Sequence, residues 1–183
     1  MKVIEGRLRG VRVIEPIVIE DDRGYFMESY QSERYAAIGL PEAFVQDNHS
    51  LSVDAGVIRG LHYQLHPKAQ GKLVRVTAGA VFDVMVDIRR GSPTFGQWEG
   101  FELSARNKRQ VFVPVGFAHG FCTLENNTEV QYKVDQAYSR EHDRGIRWDD
   151  PAIGIIWPAR APILSPKDSL HPLLEHAEYN FVD

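Results

Sequence analysis

Cysteine is almost missing from this sequence: Cys122 is the only one in 183 residues. A lone thiol excludes an internal disulfide framework and suits a reducing cytoplasm. It stands in Gly120-Phe121-Cys122-Thr123-Leu124, where a small buried apolar residue is expected rather than a nucleophile. Long apolar runs are missing too, so no membrane span is expected. Met1-Lys2-Val3-Ile4-Glu5-Gly6 has neither the apolar stretch nor the cleavage site of a secretory leader. Positive charge is not in excess: the formal net charge is -4, which argues against a nucleic-acid-binding surface. A phosphate ligand stays open, since arginines can cluster locally. Repeats, low-complexity tracts and linkers are absent. With 43% hydrophobic residues, the chain is expected to form one domain over residues 1–183 with a substantial core.

Helix patterns are scarce. One short helix is expected, with Ser32 as N-cap, Glu33 to Ile38 as its body and Gly39 as its end. The rest reads as short extended runs. Arg7 to Glu20 gives one or two strands broken at Pro16, Asp21-Asp22-Arg23-Gly24 a turn, and Tyr25 to Tyr30 a further strand. Phe44 to His49 is extended. Lys72 to Thr77 and Ala80 to Arg89 flank Ala78-Gly79 and predict a hairpin. Strands follow at Trp98–Leu103, Gln110–Val115, His119–Leu124 and Val130–Val134, and a last helical turn near Leu173-Leu174-Glu175. About ten short strands with turns between them predict an all-β sandwich or barrel.

The densest polar stretch is Arg59-Gly60-Leu61-His62-Tyr63-Gln64. On a strand, His62 and Gln64 share one face and Leu61 and Tyr63 the other. Strict alternation sets Arg59 opposite His62, a rule that the glycine between them can break. Pro114-Val115-Gly116-Phe117-Ala118-His119 resembles the second motif of the cupins, which are small jelly-roll barrels. In that superfamily the first motif carries a second histidine where this chain has Gln64, and a carboxylate where Lys68 and Ala69 stand. His62 and His119 alone are too few for a stable divalent site, so no metal is expected.

His62 is then free to act as a general base, given a carboxylate to hold its tautomer. Asp83, Asp87 and Asp168 are the candidates. Tyr132 is the candidate acid. Eight motifs in order now define a family. They are Arg23-Gly24-Tyr25-Phe26-x-Glu28, Gln46-Asp47-Asn48-His49-Ser50, Arg59 to Gln64, Gly71 to Val76, Phe82 to Arg89, Pro114 to Phe121, Tyr132-Lys133, and Gly145-Ile146-Arg147-Trp148-x-Asp150-Pro151. The chain resembles the dTDP-4-dehydrorhamnose 3,5-epimerases, from about Glu15 to Leu174.

The resemblance implies a cupin jelly roll, an isomerase without a cofactor, and a dTDP-4-keto-6-deoxy sugar as substrate. It implies His62 as base, Asp168 as its partner and Tyr132 as acid. Lys72 matches the lysine beside the sugar C4 oxygen, and His119 and Asp83 line the same pocket. Arg23, Gln46, Asn48, Arg59 and Lys167 match positions that hold the diphosphate, deoxyribose or base. Phe26 and Tyr138 match aromatics flanking thymine. Glu28 matches a residue reaching the partner subunit's site, and so implies a homodimer with N-terminal strand exchange. Asp143 stands where the family commonly has Glu, one methylene longer. The other readings are a single-site epimerase of a related deoxysugar, a metal-dependent cupin enzyme, and a silent sugar-nucleotide binder. His49, His66, His142, His171 and His176 receive no role.

Overall fold

The computed structural model describes residues 1–183. Strands β1 (Lys2–Glu5), β2 (Arg12–Glu15), β3 (Val18–Asp21) and β4 (Gly24–Met27) precede helix α1 (Ser32–Ala37). Then come β5 (Gln46–Ser52), β6 (Ile58–Gln64), β7 (Lys72–Ala78), β8 (Ala80–Asp87) and β9 (Trp98–Ser104). β10 (Gln110–Val113), β11 (Phe117–Thr123), β12 (Thr128–Val134) and β13 (Asp143–Gly145) complete the strands. Helix α2 (Pro166–Ser169) and a 3-10 turn (Leu174–His176) close the chain.

The strands build an antiparallel sandwich of the jelly-roll kind. One sheet runs β1-β2-β10-β7-β12-β5 and the other β13-β6-β11-β8-β9. Period-two alternation sends Val74, Val76, Val111, Val113 and Val130 inward from the first sheet to meet Val81, Met85, Leu103, Phe117 and Phe121 from the second. That apolar half closes one end and leaves the other for polar side chains. The back of the second sheet (Leu61, Tyr63, Val84, Val86, Ala118) is buried under Ile146, Ile153, Leu174 and Phe181 of the C-terminal segment. Tyr35 and Leu40 cover the back of the first, over Ile14, Leu73 and Phe112.

Three expectations need correction. The runs flanking Ala78-Gly79 are not a hairpin: β7 pairs with β10 and β12, whereas β8 pairs with β11 and β9. The chain changes sheets at Gly79, which takes a φ of 71°. A turn signal fixes only that the chain bends; β8 finds both of its strand partners in the second sheet. The cap of α1 is Gln31, whose Oε1 accepts from the Arg34 amide at 2.6 Å, not Ser32. The helix does end before Gly39, at a φ of 80°. Helix α2 was not expected, although Ser165-Pro166 is a start signal: the Ser165 hydroxyl accepts from the Asp168 amide at 3.1 Å and Pro166 opens the first turn.

Candidate functional site

A bulge decides where β6 points its charges. Along β11, His119 lies opposite His62 and Phe121 opposite Arg59. β6 therefore spends three residues where β11 spends two, and Arg59 comes to the same face as His62. Gly60 makes this arrangement, with a φ of 133°. A Cβ there would stand 2.6 Å from the Gly120 Cα and 2.8 Å from the His119 carbonyl oxygen. The Arg59 guanidinium donates to the Ser52 hydroxyl at 3.2 Å and the Leu51 carbonyl at 3.0 Å, so it reaches across to β5.

Of the three carboxylates considered for His62, the structure selects Asp168. His62 Nε2 lies 2.6 Å from Asp168 Oδ1. Asp83 instead meets His119 at 2.9 Å. Asp87 accepts from Arg89, Ser92 and Thr94 and so holds a turn. Asp168 is nearly fully buried. Burial alone would raise its pKa, but His171 and His62, with the Gly60 amide at 3.3 Å, hold it well below the usual carboxylate range. An ionised Asp168 accepts from His62 Nε2–H, which leaves the Nδ1 lone pair for chemistry. Burial pushes the His62 imidazole below its ordinary pKa, with Asp168 pulling the other way. His62 is accordingly neutral near pH 7.

A pocket of about 370 Å³ opens beside this pair. Its walls come from both sheets and the C-terminal segment: His62, Tyr63 and Gln64 on β6, Lys72 on β7, Gln46 and Asn48 on β5, Tyr132 on β12, then Gln70, Tyr138, Asp143 and Lys167. His62 and Tyr132 belong to opposite sheets and so to facing walls. Burial raises the Tyr132 phenol, against the nearby Arg59 charge, and keeps it protonated. The Lys72 ammonium is almost wholly enclosed; its Nζ reaches the His62 carbonyl at 3.4 Å, and burial lowers its pKa to about 8. At the rim, Asp143 accepts from Lys167 at 2.5 Å and from Tyr138 at 3.3 Å, and Gln46 accepts from the Tyr138 amide at 2.9 Å. The shorter carboxylate at position 143 still spans this gap. Arg59 and Asp168 line an adjoining cleft that also touches His62 and Lys167. His119, the cross-strand neighbour of His62, is buried together with its partner Asp83.

Three expected residues lie elsewhere on this chain. Arg23 and Phe26 are on the exposed β3–β4 hairpin, where Arg23 pairs with Asp21 at 2.5 Å. Glu28 pairs with Arg34 at 3.0 Å. Sequence reasoning also passed over His171, whose ring meets that of His62 edge-on at 5.6 Å between centroids. Its position three residues after Asp168, past a Ser-Pro helix start, was the available signal. Donor atoms of His62, Asp168 and His171 lie within 4.8 Å of one another. Two ligands of one tetrahedral zinc ion stand roughly 3.4 Å apart, so the 2.6 Å contact of His62 and Asp168 is that of a shared proton.

Residues 5–176 match the family model described as dTDP-4-dehydrorhamnose 3,5-epimerase. The dTDP-4-dehydrorhamnose 3,5-epimerase of Shigella flexneri is 54% identical over 169 residues, covering 92% of this chain and 93% of that one. The crystal structure of the enzyme from Bacillus anthracis, with TDP and PPi bound, superposes with a TM-score of 0.92 at 53% identity, covering 94% of this chain and 98% of that one. The dTDP-6-deoxy-D-glucose-3,5-epimerase of Legionella pneumophila, in complex with dTDP-4-keto-L-rhamnose, gives a TM-score of 0.92 at 48% identity, covering 96% and 93%.

Proposed function

The chain belongs to the dTDP-4-dehydrorhamnose 3,5-epimerase family, and from that premise we propose that this isomerase inverts C3 and C5 of dTDP-4-dehydro-6-deoxy-D-glucose, giving dTDP-4-dehydro-L-rhamnose for dTDP-L-rhamnose synthesis. The observation that carries the mechanism is the pair of opposed walls: a carboxylate-held imidazole on one sheet and a protonated phenol on the other, with a buried ammonium in the same pocket. A 4-keto group acidifies the protons on C3 and C5. His62 Nδ1 removes one of them while Asp168 stabilises the imidazolium. Lys72 stabilises the enolate oxygen, and buried as it is, its charge is little screened. Tyr132 then delivers a proton from the opposite face, which inverts the centre. The ketone is the electron sink, so the chemistry calls for no cofactor.

In this reading Gln46, Asn48, Arg59 and Lys167 hold the nucleotide portion and Tyr138 flanks its base, supported by the place of Gln46, Asn48, Tyr138 and Lys167 on the pocket wall and of Arg59 in the adjoining cleft. His119 and Asp83 support the floor. Arg23, Phe26 and Glu28 fit this reading through a second subunit. The β3–β4 hairpin joins neither main sheet and exposes Ile19, Tyr25 and Phe26, with Ile17 exposed just before it. β5 is an outer strand with Leu51 and Val53 exposed. A free strand edge on β5 and a free apolar hairpin elsewhere on the chain favour a homodimer in which N-terminal strands are exchanged. Because β5 also carries Gln46 and Asn48, a hairpin laid along it would bring Arg23, Phe26 and Glu28 to the neighbour's pocket. We place the reaction in the cytoplasm, where the lone Cys122 thiol stays reduced; no helix is long and apolar enough to cross a membrane.

The test is His62→Ala. Turnover of the 4-keto sugar falls roughly 100- to 10,000-fold, while calorimetry finds dTDP bound as in the wild type. Wild-type turnover in that variant removes His62 as the base.

A further inference from the structure

His171 plays no part in the steps above, yet the fold builds a slot for it. Its side chain is 90% buried, at 10% relative exposure. Gly145 lies directly across the strand pair from His62. A Cβ on Gly145 would run into the His171 ring, so only glycine lets the imidazole lie there. The segment is pinned on both sides. Before it, α2 is capped by Ser165; after it, the Pro172 carbonyl accepts from the Arg147 amide at 2.9 Å. The ring stands edge-on to His62, and its Nε2 is 3.4 Å from Asp168 Oδ1, the same oxygen that His62 holds.

That Nε2 is buried without a hydrogen-bond partner. Buried polar atoms in folded proteins are nearly always satisfied, and an unmade bond is costly. Asp168 Oδ1 stands 3.4 Å away, near the outer limit of a hydrogen bond, so a small turn of the ring aligns the pair. We propose that His171 is a positioning residue for the base: its Nε2–H is directed at Asp168 Oδ1 and keeps that oxygen aimed at His62 while the proton is taken. This rests on His62 being the base. The Gly60 amide fixes Oδ2 at 3.3 Å, so the carboxylate is held at both ends. Rotation of the carboxylate would break the 2.6 Å bond that sets the tautomer of His62.

The test compares His171→Met with His171→Gln. Methionine fills the slot and donates nothing, whereas the glutamine amide puts a donor near the place of Nε2. In His171→Met, kcat falls by about 10- to 100-fold with KM nearly unchanged, and His171→Gln recovers most of the loss. Wild-type kcat in His171→Met overturns the proposal. So does equal impairment of both variants, because a donor then makes no difference. His62→Ala, assayed alongside, separates two failures. Full turnover there removes the base itself; inactivity there with full turnover in His171→Met removes only the role of His171.

Discussion

Burial dominates the titration of His62, pushing its imidazole below 6.5 against the pull of Asp168. Lys72 is moved by burial as well, down to about 8. The two shifts open a window in which the base is neutral and the ammonium still charged. A base must be unprotonated, so kcat/KM rises with pH through a midpoint below 6.5. An enolate stabiliser must be protonated, so kcat/KM falls again near pH 8. Tyr132, raised by burial, stays protonated across that range. A pH–rate profile of kcat/KM reports these free-enzyme groups; a rising limb centred above 6.5 would contradict the assignment of His62. At this scale the sequence was informative about residue types and silent about partners. His62, Lys72 and Tyr132 carry their chemistry in their identity. The choice of Asp168 over Asp83 and Asp87 depends on which loop folds back over β6, and no local pattern encodes that. The neighbour His171 was hidden for the same reason.

Among the elements, β6 is the one on which the site turns. Without its bulge at Gly60, Arg59 would face away from His62. Both neighbours of Gly60 across the pair, His119 and Gly120, leave no room for a methyl group, and its φ of 133° is unfavourable for any other residue. Gly60→Ala is therefore expected to destabilise the fold by more than about 2 kcal/mol, read as a lower urea midpoint with an unchanged m-value. A shift smaller than about 0.5 kcal/mol would mean that β6 adapts and that the bulge is not what places Arg59. Alternation alone located most strands, because each inward row is apolar. It failed at Gly79, where a turn signal between two strands cannot say whether the chain returns to the same sheet or crosses to the other. The partners of β7 and β8 decide it, and those partners are distant in sequence.

At the scale of the whole molecule, Arg23, Phe26 and Glu28 lie away from the pocket of their own chain, and the β3–β4 hairpin leaves Ile19, Tyr25 and Phe26 in water. Sedimentation at working concentration is expected to find a dimer; a monomer would contradict the shared site. In the proposed reaction, one inversion leaves His62 with the abstracted proton and Tyr132 without one, so both exchange with solvent before the next. Incubating the enzyme with dTDP-4-dehydro-6-deoxyglucose in D2O therefore tests the account most directly. It predicts deuterium at both C3 and C5. Deuterium at one carbon would make this a single-site epimerase, and none, with dTDP still bound, would contradict proton abstraction altogether.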